Sequence, residues 1–501
     1  MKKIWCLLLA AAMVTGAAQA SHAVDFKAKG VWLASFQYGQ NGNFTNGGHT
    51  GYDPSEDEFE ARSRVRLVID AVADENLSGQ VYFEIGKSIW GKAEDPQGGM
   101  AMGADKNIVK LKRAFIDWRV PDTDLKLRMG IQGIGLPYMA MGGPTVFQSD
   151  VAAITASYVF NENAAMTAFW ARPYNDNYVG NADGDQKNFM DNMDMAGLMV
   201  PLTFDGVKVT PWAMYGMAGA NSNFLTSTSP YARYINNGFK GEDTTTGKAY
   251  GSMFWAGLPI SLTLWDPLNV ELDINYGYVE SMGRYQAERY GSAADFRMGD
   301  TKREGWLVKA LVEYKMDWGT PGIFGWYASG DDGNVKNGSE RMPSISGCGN
   351  FMSFMGDGNY GWSTSDSLYD RNMTYAGTWG IGLRIHDLSF VEDLKHSFRV
   401  AYWGGTNSPA MAKYVNSSYG WQNFNPDGYG EKDGPYLTTN DGLLEFNLVN
   451  SYQIYENLEA NLELGYIVNL VDDDTWKRSY RSDSYKKQDA WKAQLIFAYS
   501  F

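Results

Sequence analysis

Apolar and polar residues alternate with a period of two along most of the chain. Between residues 58 and 73 one phase is apolar, and the other carries three arginines, Arg62, Arg64 and Arg66. A strand would place all three arginines on one face, because successive side chains point to opposite faces, whereas a helix would scatter them. The pattern therefore predicts an all-β chain whose strands each have one apolar face.

Short and long links join these segments in strict alternation. The short links are rich in Asp, Asn, Gly and Pro, which accept turn conformations, so they make the segments into hairpins. The eighteen predicted strands span residues 25–38, 58–73, 77–89, 108–120, 125–132, 151–160, 164–171, 191–204, 207–216, 249–265, 270–279, 304–316, 323–329, 375–386, 395–403, 442–454, 458–470 and 489–501. Sixteen strands is the alternative, because the alternation is weakest at 151–171 and 323–386.

The start of the chain, residues 1–23, has the features of a secretory signal peptide. Lys2 and Lys3 precede a short apolar stretch that ends in a small-residue cleavage site at Ala23. This stretch is too short to span a bilayer as a helix. We expect cleavage after Ala23, which leaves residues 24–501 as a single barrel domain.

The composition narrows the class of protein. Aromatic residues make up 14% of the chain and the mean hydropathy is −0.36, which fits many short strands better than membrane helices. The formal charge of −15 argues against a nucleic-acid partner, because phosphate binding needs a basic surface. Cys348 is the only cysteine after the signal peptide, so no intrachain disulfide is expected.

An exported chain without disulfides must cover the apolar faces of its strands. A bilayer covers them, but it cannot satisfy backbone N–H and C=O groups, so only a closed sheet is stable there. We therefore predict a transmembrane antiparallel up-and-down β-barrel in the Gram-negative outer membrane, in contact with lipid and lipopolysaccharide. Its short turns would face the periplasm and its long loops the outside. A soluble β protein is the alternative.

The last predicted strand carries large apolar residues in one phase: Trp491, Leu495, Phe497, Tyr499 and Phe501. With the signal peptide and the paired hairpins, this strand resembles that of a bacterial outer-membrane porin. The resemblance implies that these five residues form the signal read by the barrel-assembly machinery. The stretch VDFKAKGVWLASF and the Gly- and Asn-rich loops are similar to the outer-membrane homotrimeric porins of sulfate-reducing bacteria, which implies a homotrimer.

The third long link, residues 133–150, is the candidate constriction loop, because the corresponding loop of general porins folds into the barrel. Its apolar side chains suit packing on an inner wall: Leu136, Tyr138, Met139, Met141, Val146 and Phe147. The acidic motif of that loop is missing, since Asp150 is its only acid. A loop that covers a subunit contact is the alternative.

Charged residues recur in the phase that would face the lumen. The predicted pore-lining residues are Arg62, Arg64, Arg66, Arg113, Asp117, Arg119, Lys126, Arg128, Glu271 and Asp273. Fixed charge in a narrow pore biases which ions enter, so the basic ladder on the first strands would favour anions. Paired charges without selectivity are the alternative. Glu271 and Asp273, near Lys309, Glu313 and Lys315, would add a transverse field.

Acidic loop residues are the only metal candidates in the sequence. Asp183, Asp185, Asp331 and Asp332 stand in suitable loops, but the glycine and distal glutamate of an EF-hand are absent. Such residues commonly form turns instead. We therefore expect no cofactor, with loop-bound calcium as the alternative.

A channel is the predicted function. The three histidines after the signal peptide, His49, His386 and His396, have no well-placed serine partner, so we expect no enzymatic activity. The first strand begins close to the cleavage site, which leaves no room for the plug of an energised transporter. The main hypothesis is passive diffusion of ions and small hydrophilic solutes. The alternative is a substrate-specific channel for sugars or organic anions.

Overall fold

The computed structural model describes residues 24–40, 58–91, 100–102, 107–140, 142–175, 192–219, 222, 243–245, 248–289, 292–345, 375–414, 436–476 and 487–501. The strands within these ranges are β1 (Asp25–Gln40), β2 (Glu58–Val72), β3 (Leu77–Ile89), β4 (Val109–Arg119), β5 (Leu125–Gly135), β6 (Gln148–Asn161), β7 (Ala164–Asn175), β8 (Asn192–Met199), β9 (Leu202–Phe204), β10 (Val207–Val209), β11 (Trp212–Gly219), β12 (Asp243–Thr245), β13 (Tyr250–Trp265), β14 (Leu268–Val279), β15 (Gly283–Arg289), β16 (Ser292–Asp300), β17 (Arg303–Tyr314), β18 (Thr320–Ala328), β19 (Thr378–Val391), β20 (Leu394–Gly405), β21 (Gly442–Tyr455), β22 (Leu458–Asn469) and β23 (Ala490–Ser500). A short 3-10 helix covers Pro409–Tyr414. No helix in the described ranges is long and apolar enough to cross a membrane.

Twenty of these strands form one closed antiparallel barrel. Closure is direct, because β1 pairs with β2 on one side and with β23 on the other. Strands β8 and β9 are two parts of one span, since β7 pairs with both, and β10 and β11 pair likewise with β13. The barrel therefore has eighteen spans, as predicted, and the sixteen-strand alternative is wrong.

Several predicted links are partly strand. Strand β5 extends to Gly135 and β6 begins at Gln148, so the connection between them is shorter than the predicted 133–150. Gly133 and Gly135 of the predicted link pair in register with β6. Strands β12, β15 and β16 form a separate small sheet inside the predicted links 217–248 and 280–303. Their polar sequences lack the one-sided apolar pattern of a membrane strand.

The two faces of each barrel strand differ as the alternation predicted. On β17, Leu307, Lys309 and Leu311 point inward and are buried, whereas Trp306 and Val312 point outward and are exposed. Large exposed apolar side chains occur on every span, which forms an apolar belt around the barrel. Water does not tolerate an apolar surface of this extent, but a bilayer covers it. The soluble alternative is therefore wrong.

Candidate solute pathway

Charged side chains line the inner faces of β2 to β5, which we call the charged wall. Strand register places Arg66 opposite Glu84, and the two form an ion pair at 2.9 Å. Asp117 on β4 accepts from both Lys126 and Arg128 of β5, at 2.9 and 2.6 Å. These neighbours follow from the period of two, because strands in register bring residues of one phase together.

The predicted basic ladder is present on this wall, but its members are paired. Arg62 lies 3.0 Å from Glu60, and Asp150 at the start of β6 holds Arg113 at 2.6 Å and Lys112 at 3.2 Å. Six cations therefore share four carboxylates, so the wall keeps a positive excess after pairing. The alternation predicted these cations except Lys112. It did not predict the partnership with Asp150, because Asp150 lies on β6, two strands beyond β4.

The remaining predicted members of the ladder differ from each other in exposure. Arg64 is buried between its neighbours on β2, with only 7% of its surface exposed. Arg119 ends β4 at a short turn, where it is exposed. Two aromatic rings lie under guanidinium groups of the same wall: Arg113 is 5.4 Å from the Tyr82 ring centre and Arg128 is 4.0 Å from that of Phe115.

Large apolar side chains line the inner faces of β7, β8, β11 and β13, which we call the filled wall. Its buried members are Phe169, Ala171, Met193, Met195, Trp212, Met214, Met253 and Trp255. Residues 136–147 pack into the same apolar cluster through Leu136, Val146 and Phe147. The base of this segment is closed by a hydrogen bond of 3.0 Å from the Leu136 amide to the Phe147 carbonyl. Met141 lies outside the described residues.

The tip of residues 136–147 contacts a distant part of the barrel. The Met139 amide donates to Asp273 Oδ1 at 2.8 Å, and Lys309 Nζ donates to the Gly143 carbonyl at 3.1 Å. Asp273 is on β14 and Lys309 on β17, the eleventh and twelfth spans, whereas the segment leaves the fifth span. The segment therefore runs inside the barrel, from one part of its wall to another.

A second segment, residues 331–345, also enters the barrel. Trp255 Nε1 donates to the Pro343 carbonyl at 3.0 Å, and Arg303 Nε donates to the Arg341 carbonyl at 2.8 Å. The amide of Ile345 donates to the Val146 carbonyl at 2.9 Å, so the two segments touch. No sequence pattern predicted that this second segment enters the barrel, because its polar, Gly-rich composition is that of an ordinary surface loop.

The comparisons with known proteins bear on the fold. No protein-family model matches the chain, and no curated protein matches it. Among solved structures, Pseudomonas aeruginosa OccK2 (OpdF) in complex with glucuronate is similar, with a TM-score of 0.50, 12% identity, and coverage of 95% of this chain and 98% of the other. Pseudomonas aeruginosa OpdQ has the same TM-score and identity and is covered over 99% of its length. The fold is that of an outer-membrane porin. With its apolar belt, the closed barrel is an integral outer-membrane protein.

The buried carboxylate of Asp331 joins two long connections of this porin-type barrel, between β18 and β19 and between β20 and β21. Asp331 accepts from the Ser339 hydroxyl at 2.6 Å and from the Tyr436 hydroxyl at 2.7 Å, and burial raises its pKa. Burial and the charges of Asp331 and Asp332 raise the pKa of Glu340 to about 7.

Within the described residues, no three His, Cys, Asp or Glu side chains are grouped to hold a metal ion. The candidates Asp183 and Asp185 lie outside the described residues.

The predicted acids near Lys309 have different partners. Asp273 pairs with Lys309 at 3.0 Å, and Glu271 accepts from the side-chain amide of Asn269 at 3.1 Å. Glu313 pairs with Arg384 of β19. Lys315 was expected to face inward, but it lies beyond the end of β17 and is exposed, because the strand ends one residue earlier.

The terminal strand closes the barrel with its large apolar residues pointing outward: Trp491, Leu495, Phe497 and Tyr499. Phe501 follows the strand and exchanges two backbone hydrogen bonds with Gly30, at 2.8 and 3.1 Å. Its ring stacks on that of Tyr499, with the centres 5.7 Å apart. The role of these residues as an assembly signal stays a prediction.

Proposed function

We propose that the protein is a substrate-selective channel for small organic anions in the outer membrane. The observation that carries this proposal is the charged wall, on which six cations share four carboxylates beside two segments that occupy the lumen. Arginines arranged in this way bind carboxylates well, because a guanidinium can form two parallel hydrogen bonds with one carboxylate.

We therefore favour a substrate-specific channel, the alternative hypothesis, over unselective passive diffusion. The filled wall and the two inward segments leave less of the lumen to water, so solutes would pass close to the charged wall. Glucuronate, found in the OccK2 (OpdF) complex, is a sugar acid of the class that we propose here. Selective transport then needs both the narrow path and the positive excess.

The first test removes charge from the wall. We expect the triple variant Arg62→Gln, Arg64→Gln, Arg66→Gln to shift the reversal potential in a KCl gradient toward cations. The reason is that Glu60 and Glu84 lose their cationic partners. The matched control is Arg289→Gln, Arg297→Gln, Lys302→Gln, which removes the same charge from residues outside the barrel sheet. Equal reversal potentials in the two variants would refute the role of the wall.

The second test separates selective from unselective transport. Wild-type channels in planar bilayers should show stepwise conductance, and glucuronate should block the ionic current at lower concentration than glucose does. The two solutes have similar size, so unselective diffusion predicts equal effects. Equal block by glucuronate and glucose would therefore support unselective passive diffusion instead.

We also propose that the chain is exported by its signal peptide, that the barrel-assembly machinery recognises its C-terminal strand, and that the assembled barrels form a homotrimer. The outward position of Trp491, Phe497 and Tyr499 supports this, because a signal must be accessible to the assembly machinery. Deleting Phe501 should lower the yield of assembled barrel, while the channels that do form keep wild-type conductance. Unboiled and boiled samples on one low-salt gel measure both oligomer and yield. A normal yield without Phe501 would contradict the proposed signal.

A further inference from the structure

We infer that Lys309 holds residues 136–147 in place, links them to the connection between β18 and β19, and thereby sets the width and selectivity of the pore. The inference rests on the proposed channel function. It assigns to Lys309 a positioning role rather than direct contact with solute, because its side chain is fully buried. Three groups of contacts support it.

The first group is the ion pair with Asp273. The two residues are directly opposite in the register of β14 and β17, and their charged atoms lie 3.0 Å apart. Buried ion pairs contribute little net stability compared with well-packed apolar residues. A pair at this position in the wall is therefore poorly explained by barrel stability alone.

The second group joins this pair to residues 136–147. Lys309 Nζ donates to the carbonyls of Gly143 at 3.1 Å and Ala140 at 3.4 Å, while Asp273 accepts from the Met139 amide at 2.8 Å. Both charged side chains are therefore hydrogen-bonded to the backbone of residues 136–147. The backbone at Gly143 has φ of 85°, a left-handed conformation that suits glycine and presents this carbonyl to the ammonium group.

The third group reaches the connection between β18 and β19. The Lys309 ammonium group lies 5.7 Å from the ring centre of Tyr138 and 5.5 Å from that of Tyr375. Tyr138 belongs to the first segment, and Tyr375 belongs to the same connection between β18 and β19 as residues 331–345. A cation near two aromatic faces is attracted to both. One ammonium group thus contacts both connections that enter the lumen.

The contacts of Lys309 and Asp273 hold residues 136–147 at the tip, far from β5 and β6. Residues 136–147 leave the wall at β5 and β6, and Lys309 lies six spans farther round a barrel of eighteen. The filled wall fixes the base of the segment through apolar packing, and the Asp273–Lys309 pair fixes its tip. Loss of the tip contacts would let the segment withdraw toward the filled wall and widen the path.

The test compares single-channel currents of Lys309→Met with those of the wild type. Methionine keeps much of the length and the apolar stem but removes the charge and the donors. We expect roughly a doubling of conductance, larger current noise, and loss of the preference for glucuronate over glucose. Lys309→Arg, which keeps donors and charge, should restore most of the wild-type behaviour.

The matched control is Arg384→Gln. It removes one positive charge from a neighbouring part of the same inner wall, where Arg384 pairs with Glu313. Its conductance should stay near that of the wild type. If Lys309→Met and Arg384→Gln both keep wild-type conductance, the inference is wrong.

A second variant covers the case in which Lys309→Met does not assemble. Gly143→Ala leaves the Asp273–Lys309 pair intact but strains the left-handed turn that presents the carbonyl. It should raise conductance in the same direction, by less than Lys309→Met, and unchanged conductance would overturn the inference. Equal block of the wild type by glucuronate and glucose would refute the proposed selectivity, while the conductance comparison would still test the role of Lys309.

Discussion

The charged wall and the filled wall present the same apolar surface to lipid but opposite chemistry to the lumen. On the charged wall, Arg66 and Glu84 pair across neighbouring strands. On the filled wall, Met214 and Trp255 occupy the equivalent cross-strand position and are buried. Lipid constrains only the outer face of each strand, so the inner face is free to form either a pathway or a core.

The difference between the two walls determines where the proposed channel would let solutes pass. Apolar side chains on the filled wall bury the base of residues 136–147 and residues around Pro343, so this part of the barrel has a packed interior. Ion pairs on the charged wall remain partly exposed, with 33% of the Arg66 side chain accessible. In the proposed channel, the solute pathway would therefore lie nearer to the charged wall than to the filled wall.

The largest expected effect concerns packing on the filled wall. Trp255→Ala should lower the free energy of unfolding by about 3–5 kcal/mol, because it removes a buried aromatic side chain and leaves a cavity. It also removes the hydrogen bond to the Pro343 carbonyl. Urea unfolding in lipid vesicles, followed by the gel mobility of unboiled protein, measures the loss.

Trp306→Ala is the matched control for this prediction. Trp306 points outward and is 45% exposed, so its removal leaves no internal cavity. Its loss of stability should be clearly smaller. Equal losses in the two variants would show that the filled wall is not a packed interior.

A smaller effect is expected from Asp117→Asn on the charged wall. Asp117 holds Lys126 and Arg128, so the variant frees two cations and should strengthen the preference for anions. The shift in reversal potential should shrink as salt rises from 0.1 to 1 M, because the screening length falls from about 10 Å to about 3 Å.

Asp124→Asn provides the control for this charge change. Asp124 lies in the exposed turn between β4 and β5, beyond the charged wall. A shift of the same size from Asp124→Asn would mean that total charge, rather than the wall, sets the selectivity.

The contrast between the walls also explains what the sequence could predict. Strand number and the inward phase of Arg62, Arg64 and Arg66 were predictable, because charges mark the inner face of an alternating strand. Strands β8 and β11 have apolar residues in both phases, as in NMDMAGLM and WAMYGMAG, so alternation could not identify their inner face. The inward course of residues 331–345 depends on contacts between distant parts of the chain, which local patterns do not encode.

The smallest expected effect is a pH response of residues 331–345, which pack against the filled wall. The pKa of Glu340 is raised from an ordinary 4.5 to about 7, chiefly by burial and then by Asp331 and Asp332. The folded segment therefore favours the protonated form of the Glu340 carboxyl. Its stability should fall as pH rises from about 4.5 to about 7, because the carboxyl then loses its proton.

Current noise and protease sensitivity of the segment should rise over that interval. Lys302, at the edge of β17, and Arg303 and Arg341 are the nearby cations. Glu340→Gln should abolish the pH response, and Asp332→Asn should move its midpoint to lower pH by removing one of the repelling charges. A response that persists unchanged in Glu340→Gln would assign it to another group, and would leave the packing of Pro343 on the filled wall as the main restraint on the segment.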